Sequence, residues 1–386
     1  MKLAQRLHSQ KSIHWFSVGQ MIRAKEAEGV KVISLGSGNP DLPTPPAVVE
    51  ALRQAAQEPN YHRYPFSIHT DLSQAIADWY DRRFGVQLDP QTQVQPVYGS
   101  QAGIGNLGMA VIEPGAVALV SDPAYDSYAR VTEFAGGEVY RLPLREENGY
   151  LPDLAAIPDE VLAQTRLLWL NYPHNPTGAV APLSFFKDVV AFAREQNILV
   201  CHDNAYSDIS YDGYVAPSFL AVEGAKEVAV ELNTLSKAFN MAGWRVGMAV
   251  GNPDALQALA QVSFNTSMGL FGPVQIAAIE ALTGDQSWTV ERNQIYQERR
   301  DIVVQGLRAI GMEVPYPKAT LYIWARLPEG YTDSLEFSKK MLDQTGVWIS
   351  SGVFFGQAGE GYLRASITVP TKELREAMER LQTFKL

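Results

Sequence analysis

The stretch Leu167–Gly178, LLWLNYPHNPTG, runs from an apolar and aromatic segment directly into a turn. Asn175-Pro176 and Gly178 dictate the turn, and the run before it reads as a strand buried on both faces. Polar residues just past such a strand stand where an open α/β sheet leaves its binding crevice. The pattern recurs twice. In ILVCHDNAYSD (198–208) an apolar run delivers Asp203, and Tyr206 follows it. In VELNTLSKAFNMAGWRVG (230–247) a strand ends at Thr234, Ser236 and Lys237, with Arg245 further on.

Working outward, helical periodicity alternates with short β-rich runs, the signature of an α/β protein with a mostly parallel sheet. The expected strands are 93–98, 116–121, 138–143, 165–171, 198–202, 228–232 and 246–250. Between two of them, SFFKDVVAFAREQN places Phe185, Val189, Val190 and Ala193 on one helical face, with Ser184 as the expected N-cap. After Gly272 the pattern changes. A helical run from Val274 leads into the charged ERNQIYQERRDIVVQGLRAIG, then strands near 322–325 and 362–366 with helices around them. The expectation is an α/β fold: a large domain, 34–272, around a seven-stranded mostly parallel sheet, and a smaller α+β domain, 273–386. The amino-terminal arm, 1–33, is polar and amphipathic, and is expected to pack on the small domain or on a partner subunit.

Composition narrows the function. The formal charge of −10 comes from scattered acids, and the basic residues form no run suited to gripping nucleic acid. Neither a secretory h-region nor an apolar stretch of membrane-spanning length is present, so a cytoplasmic location with no membrane partner is expected. The single cysteine, Cys201, excludes an internal disulfide and a cysteine-rich metal site, and no metal is expected. It reads as a small buried strand residue.

One motif points elsewhere. GIGNLG, 103–108, is a G-x-G-x-x-G that follows a predicted strand, and Asp122 lies at a later strand end, where a dinucleotide-dependent oxidoreductase would bind a ribose. That reading leaves the lysine segment unexplained, and Asp122 is followed by Pro123 rather than by a helix entry. The strand ends together supply a lysine, an acid, an amide, a phenol, hydroxyls and an arginine. Pyridoxal 5′-phosphate asks for this set: an amine for its aldehyde, an anion for its ring nitrogen, donors for its 3′ oxygen and a cradle for its phosphate.

The segments NYPHNPTG and TLSKAFNMAGWRVG resemble those of the class I/II aminotransferases of the fold-type I pyridoxal-phosphate enzymes. The likeness extends from SLGSGNPDLPTP through SDPAY to YLRASI. It implies that Lys237 carries the cofactor and moves the substrate's α-proton, that Asp203 holds the ring-nitrogen proton, and that Asn175 and Tyr206 donate to the 3′ oxygen. It implies Tyr125 against the ring face and Ser100, Gln101, Thr234, Ser236 and Arg245 around the phosphate. Tyr64 is similar to a tyrosine that reaches the phosphate from the neighbouring subunit, which implies a homodimer with shared sites.

For the substrate, Arg364 matches the arginine that clamps the α-carboxylate, and Gly38 matches a segment whose backbone passes that carboxyl. Phe16 and the 265–271 region fall where side-chain specificity is set. The reaction implied is ping-pong transamination between an amino acid and a 2-oxo acid, coupled to glutamate and 2-oxoglutarate. ENGYLPDLAAIP and NMAGWRVGMAVGNPDAL look most like the LL-diaminopimelate branch, and nearly as much like an alanine- or aspartate-type branch. Three positions depart from the usual pattern: Thr234 replaces serine or glycine, Gln101-Ala102 a charged pair, and His174 an asparagine.

Overall fold

The computed structural model describes residues 4–7, 14–65 and 70–385. Its strands are β1 (Ile33–Ser34), β2 (Val94–Val97), β3 (Val117–Asp122), β4 (Glu138–Pro143), β5 (Thr165–Leu170), β6 (Leu199–Asp203), β7 (Ala229–Thr234), β8 (Gly247–Gly251), β9 (Tyr322–Arg326), β10 (Val347–Trp348), β11 (Ser350–Ser351) and β12 (Tyr362–Ser366). The seven strands expected from the sequence form one sheet in the order β2-β8-β7-β6-β5-β3-β4. In it β8 runs antiparallel to both neighbours, and the pairs from β7 to β4 are parallel.

Successive strand residues point to opposite faces, so a strand covered on both sides feeds two cores. Leu168, Leu170, Val200 and Met248 enter one core, which they share with Leu72, Ile76, Val189, Ala277 and Leu282. Trp169, Cys201, Leu232 and Ala249 enter the other, against Ile104, Leu107 and Leu259. Helix Gly272–Thr283 therefore lies on the large sheet, although the domain division expected at 272/273 falls at its start. Helix Leu183–Gln196 buries Phe185, Val189, Val190 and Ala193 as expected. Its N-cap is Pro182 rather than Ser184. Proline has no amide hydrogen to leave unpaired there, and the helix begins two residues earlier than an N-cap at Ser184 would place it.

The smaller α+β unit carries the antiparallel sheet β11-β12-β9 and the parallel pair β1-β10. Its core joins Ile33 and Leu35 from the chain's beginning to Val303, Leu307, Ile323, Val347, Leu363 and Leu374. Helix His14–Ala27 sets Val18 among Trp324, Trp348, Phe354 and Phe355 of this unit. Among the described residues no helix is long and apolar enough to cross a membrane.

Candidate active site

The carboxyl ends of β5, β6 and β7 and the start of helix Gly99–Val111 bound a cavity of about 420 Å³, closed from the smaller unit by Tyr322, Phe354, Phe355 and Arg364. Ser100, Gln101, Tyr125, Asn175, Asp203, Tyr206, Thr234, Ser236, Lys237 and Arg245 all line it, together with Gly38 and Arg364. Tyr64 does not; it is 74% exposed on the protein surface. Phe16 lies in helix His14–Ala27, but its side chain is outside the described residues.

Lys237 Nζ donates to the Gly38 carbonyl at 2.6 Å. Burial lowers its pKa, and Arg364 and Arg245 push the same way against Tyr322 and Asp203. The ammonium form is thus disfavoured, as a nucleophilic amine requires. Asp203, at the end of β6, accepts a hydrogen bond from Tyr128 at Oδ2 (2.7 Å), while its Oδ1 is buried with no partner. Burial raises its pKa to about 6, against the opposing pull of Tyr128, His202, the Ala205 amide and Lys237. On the far face of the same strand, His202 is held between Glu231 Oε2 (2.8 Å) and the Tyr172 carbonyl (3.0 Å).

Arg364 projects from β12 with its guanidinium between the rings of Tyr322 (4.1 Å) and Phe355 (4.3 Å). It donates to Asn175 Oδ1 (2.9 Å) and the Gly36 carbonyl (2.7 Å), and its buried Nε has no partner. The Tyr322 hydroxyl lies 3.0 Å from that of Tyr206. Burial acts upward on Tyr322, but Arg364, Lys237 and the Tyr206 hydrogen bond outweigh it and leave its pKa lowered. A side chain on residue 38 would overlap the Tyr322 hydroxyl, so only glycine lets this backbone pass.

At the opposite end, Ser100 and Gln101 in the first turn of helix Gly99–Val111 line the cavity together with Ser236 and Arg245, and the amides of such a first turn, which lack partners within the helix, favour an anion. Two predicted phosphate residues have other engagements. The Thr234 hydroxyl accepts from the Ser236 amide (3.2 Å) and so caps the lysine helix. Gln101 Oε1 accepts from Tyr125 (2.8 Å) and Ser127 (3.0 Å), which fixes the tyrosine on the cavity wall. As for GIGNLG, Cβ atoms at residues 103 and 108 would collide with Leu232 and Val131, so these glycines are packing positions. Gly105 is not, because it faces open space. Asp122 accepts the Ala358 amide at 3.1 Å and binds the two units together.

The family Aminotransferase class I and II matches residues 30–381. The chain is a class I and II aminotransferase. An LL-diaminopimelate aminotransferase of Dehalococcoides mccartyi is 48% identical over 386 residues, covering 100% of this chain and 99% of that protein. Another, of Moorella thermoacetica, is 46% identical over 383 residues, covering 99% and 98%. Among solved structures, apo-BacF from Bacillus subtilis superimposes with a TM-score of 0.96 at 40% identity, covering 100% of this chain and 99% of that one. A Thermus thermophilus aspartate aminotransferase mutant gives 0.91 at 30%, covering 99% of each.

The aminotransferase uses pyridoxal 5′-phosphate, and its residues fit that group. The orphaned Asp203 Oδ1 is the acceptor a protonated ring nitrogen needs, opposite the amine of Lys237 and the helix amides. Tyr128, Asn171, Tyr322, Phe355 and Gly36 were not expected from the sequence. Three had a signal: Tyr128 stands three residues after Tyr125, Asn171, which opens NYPHNPTG, donates to the Asp203 carbonyl (2.7 Å), and Gly36 lies in SLGSGNPDLPTP, two residues before the expected Gly38. Tyr322 and Phe355 come from segments with no chemical signature and are brought in by topology alone.

Because the folded apoprotein holds the Asp203 proton more tightly than the unfolded chain does, this group's contribution to stability is intact below about pH 4, declines as pH rises through about 6, and is lost above that. Cofactor-free Asp203→Asn should therefore exceed wild type in stability by on the order of 3 kcal/mol at pH 7.5 and lose that advantage at pH 4. Urea unfolding at the two pH values measures it, and an identical difference at both would refute it.

Proposed function

We propose that this aminotransferase moves the amino group of LL-diaminopimelate to 2-oxoglutarate, as a homodimer whose two sites are shared. The observation that carries the reading is the convergence on one cavity of an amine with a lowered pKa, a carboxylate with an orphaned oxygen and a guanidinium held between two rings. The relatives whose names print this donor align with the whole chain. Asp126, on the cavity wall beside Tyr125 and paired with Arg130 (3.2 Å), suits a donor whose side chain ends in a second ammonium group.

Arg364 takes the substrate's α-carboxylate, its planar fork matching two oxygens. Pyridoxal 5′-phosphate, when bound, supplies an electron sink for the charge left by the departing α-proton. Lys237 Nζ accepts that proton and returns it on the other side of the transfer. Asp203 keeps a proton at the ring nitrogen, and Asn175 and Tyr206 donate toward the 3′ oxygen. Ser100, Ser236, Arg245 and the amides of the helix start hold the phosphate, and Thr234 and Gln101 order its surroundings. Exposed Tyr64 precedes Pro65, whose carbonyl packs against Gly269, and exposed Met268 and Phe271 flank that glycine in the chain. A second subunit would cover this apolar surface and receive Tyr64 at its own phosphate end.

Half-reaction spectra test this reading. Holoenzyme mixed with single amino acids should convert to the amine form of the cofactor fastest with LL-diaminopimelate, ahead of glutamate, alanine and aspartate. A faster reaction with alanine or aspartate would overturn the donor assignment, and no conversion with any donor would overturn the cofactor-site roles.

A further inference from the structure

Helix Ser287–Ala309 carries Arg292, Tyr296 and Arg299 on one face at i, i+4 and i+7, and all three are buried. Arg292 is only 1% exposed, and the carboxylate that acts on it, that of Asp208, is ion-paired with Arg83 instead. Instead its Nη1 donates to the carbonyls of Lys237 (3.1 Å) and Ala238, and its Nη2 to that of Asp208 (2.5 Å). Asn293 Oδ1 accepts from its Nε (3.2 Å) and Nη2 (3.0 Å), and its own amide binds the Asp208 carbonyl (2.9 Å). A guanidinium taken from water without a direct ion pair is costly, so its place in the fold asks for a reason.

The carbonyls it binds supply one. They end the short helix Leu235–Ala238, whose last carbonyls have no partners within the helix and where a cation is favoured. The same helical face reaches the other wall of the site. Arg299 binds both oxygens of Asp41 (2.6 and 3.0 Å), and the Tyr296 hydroxyl accepts from Asn240, which also binds the Leu42 carbonyl. Asp41 closes the segment whose Gly36 and Gly38 carbonyls receive Arg364 and Lys237.

We propose that Arg292 is a positioning residue for Lys237: it locks the peptide of Lys237 to the helix that also anchors the Gly36–Asp41 segment, and so fixes where the amine stands. The proposal rests on the reading of Lys237 as the lysine that carries the cofactor. It makes the spacing of Arg292 and Arg299 along one helix the ruler for the distance between Lys237 and the carbonyl it binds. Without Arg292 the short helix keeps its N-cap at Thr234 but loses the hold on its other end, and the amine wanders.

The test uses Arg292→Gln and Arg292→Lys. In apoprotein, acetylation of Lys237 by trace acetic anhydride is followed across pH by peptide mass spectrometry, with Lys226 and Lys385 as internal references. The Lys237 rate relative to those references should change by at least about threefold in Arg292→Gln and return toward wild type in Arg292→Lys. In holoenzyme, kcat should fall by on the order of tenfold to a hundredfold in Arg292→Gln with KM little changed, since misplacement costs the reacting geometry rather than binding. A folded Arg292→Gln with an unchanged Lys237 profile and kcat within twofold of wild type would overturn the proposal. If Arg292→Gln does not fold, Arg292→Met is read in its place: an altered Lys237 profile that Arg292→Lys restores supports the role, and an unaltered one with full kcat refutes it. Lys237→Ala that still binds the cofactor covalently would instead refute the reading of Lys237, whatever the acetylation profile shows.

Discussion

Lys237→Ala should lower turnover by roughly 10⁴-fold or more, because one substitution removes both the covalent anchor and the base that moves the α-proton. The purified variant should also lack the visible absorbance that the lysine-bound cofactor gives. Fold should survive, since the short helix Leu235–Ala238 retains its Thr234 cap and its Arg292 contacts, which involve main-chain carbonyls. Stopped-flow turnover and absorbance of the reconstituted protein measure the two effects. Persistence of the visible band in the variant would show that another residue carries the cofactor.

The second large effect is expected at Arg364. Replacement by lysine keeps the charge but loses the plane that lies between Tyr322 and Phe355 and the two directed contacts to Asn175 and Gly36. An ammonium there cannot meet both carboxylate oxygens, and two buried acceptors lose their donor. kcat/KM for every amino donor should fall by about 10²–10³-fold, the range for losing one partner of a buried, hydrogen-bonded charge pair. The loss should be the same for donors of different side chain, because the group it addresses is common to all of them. A loss confined to one donor would assign Arg364 to side-chain recognition instead.

Much of the large unit was legible in the sequence because its strands are buried on both faces. The run at Leu167–Leu170 is apolar without interruption, and the one at Val228–Leu232 is broken only by Glu231. The site was legible for a related reason: Asn175, Asp203 and Lys237 each follow such a run, so their positions at one sheet edge come with the strands. Elsewhere the pattern carries less. The two-residue strands β1, β10 and β11 are too short for any period to register. Tyr322 and Phe355 stand in no motif and become cavity walls only because β9 and the segment after β11 are folded over the sheet edge. Thr234 and Gln101 have the right chemistry for an anion, and only geometry shows their polar atoms engaged with Ser236, Tyr125 and Ser127. Gly105 shares a motif with Gly103 and Gly108 and none of their crowding.

The pairing of β1 with β10 also orders events in time. As the chain leaves the ribosome, Ile33 and Ser34 have no strand to join until Val347 and Trp348 have been made. All seven strands of the large sheet, with Lys237 among them, are synthesised in that interval, and units of this kind fold from the amino-terminal side as they emerge. The cofactor's half of the site is therefore available before the substrate's half exists. Arg364, with its grip on Gly36, arrives last and finishes the enzyme.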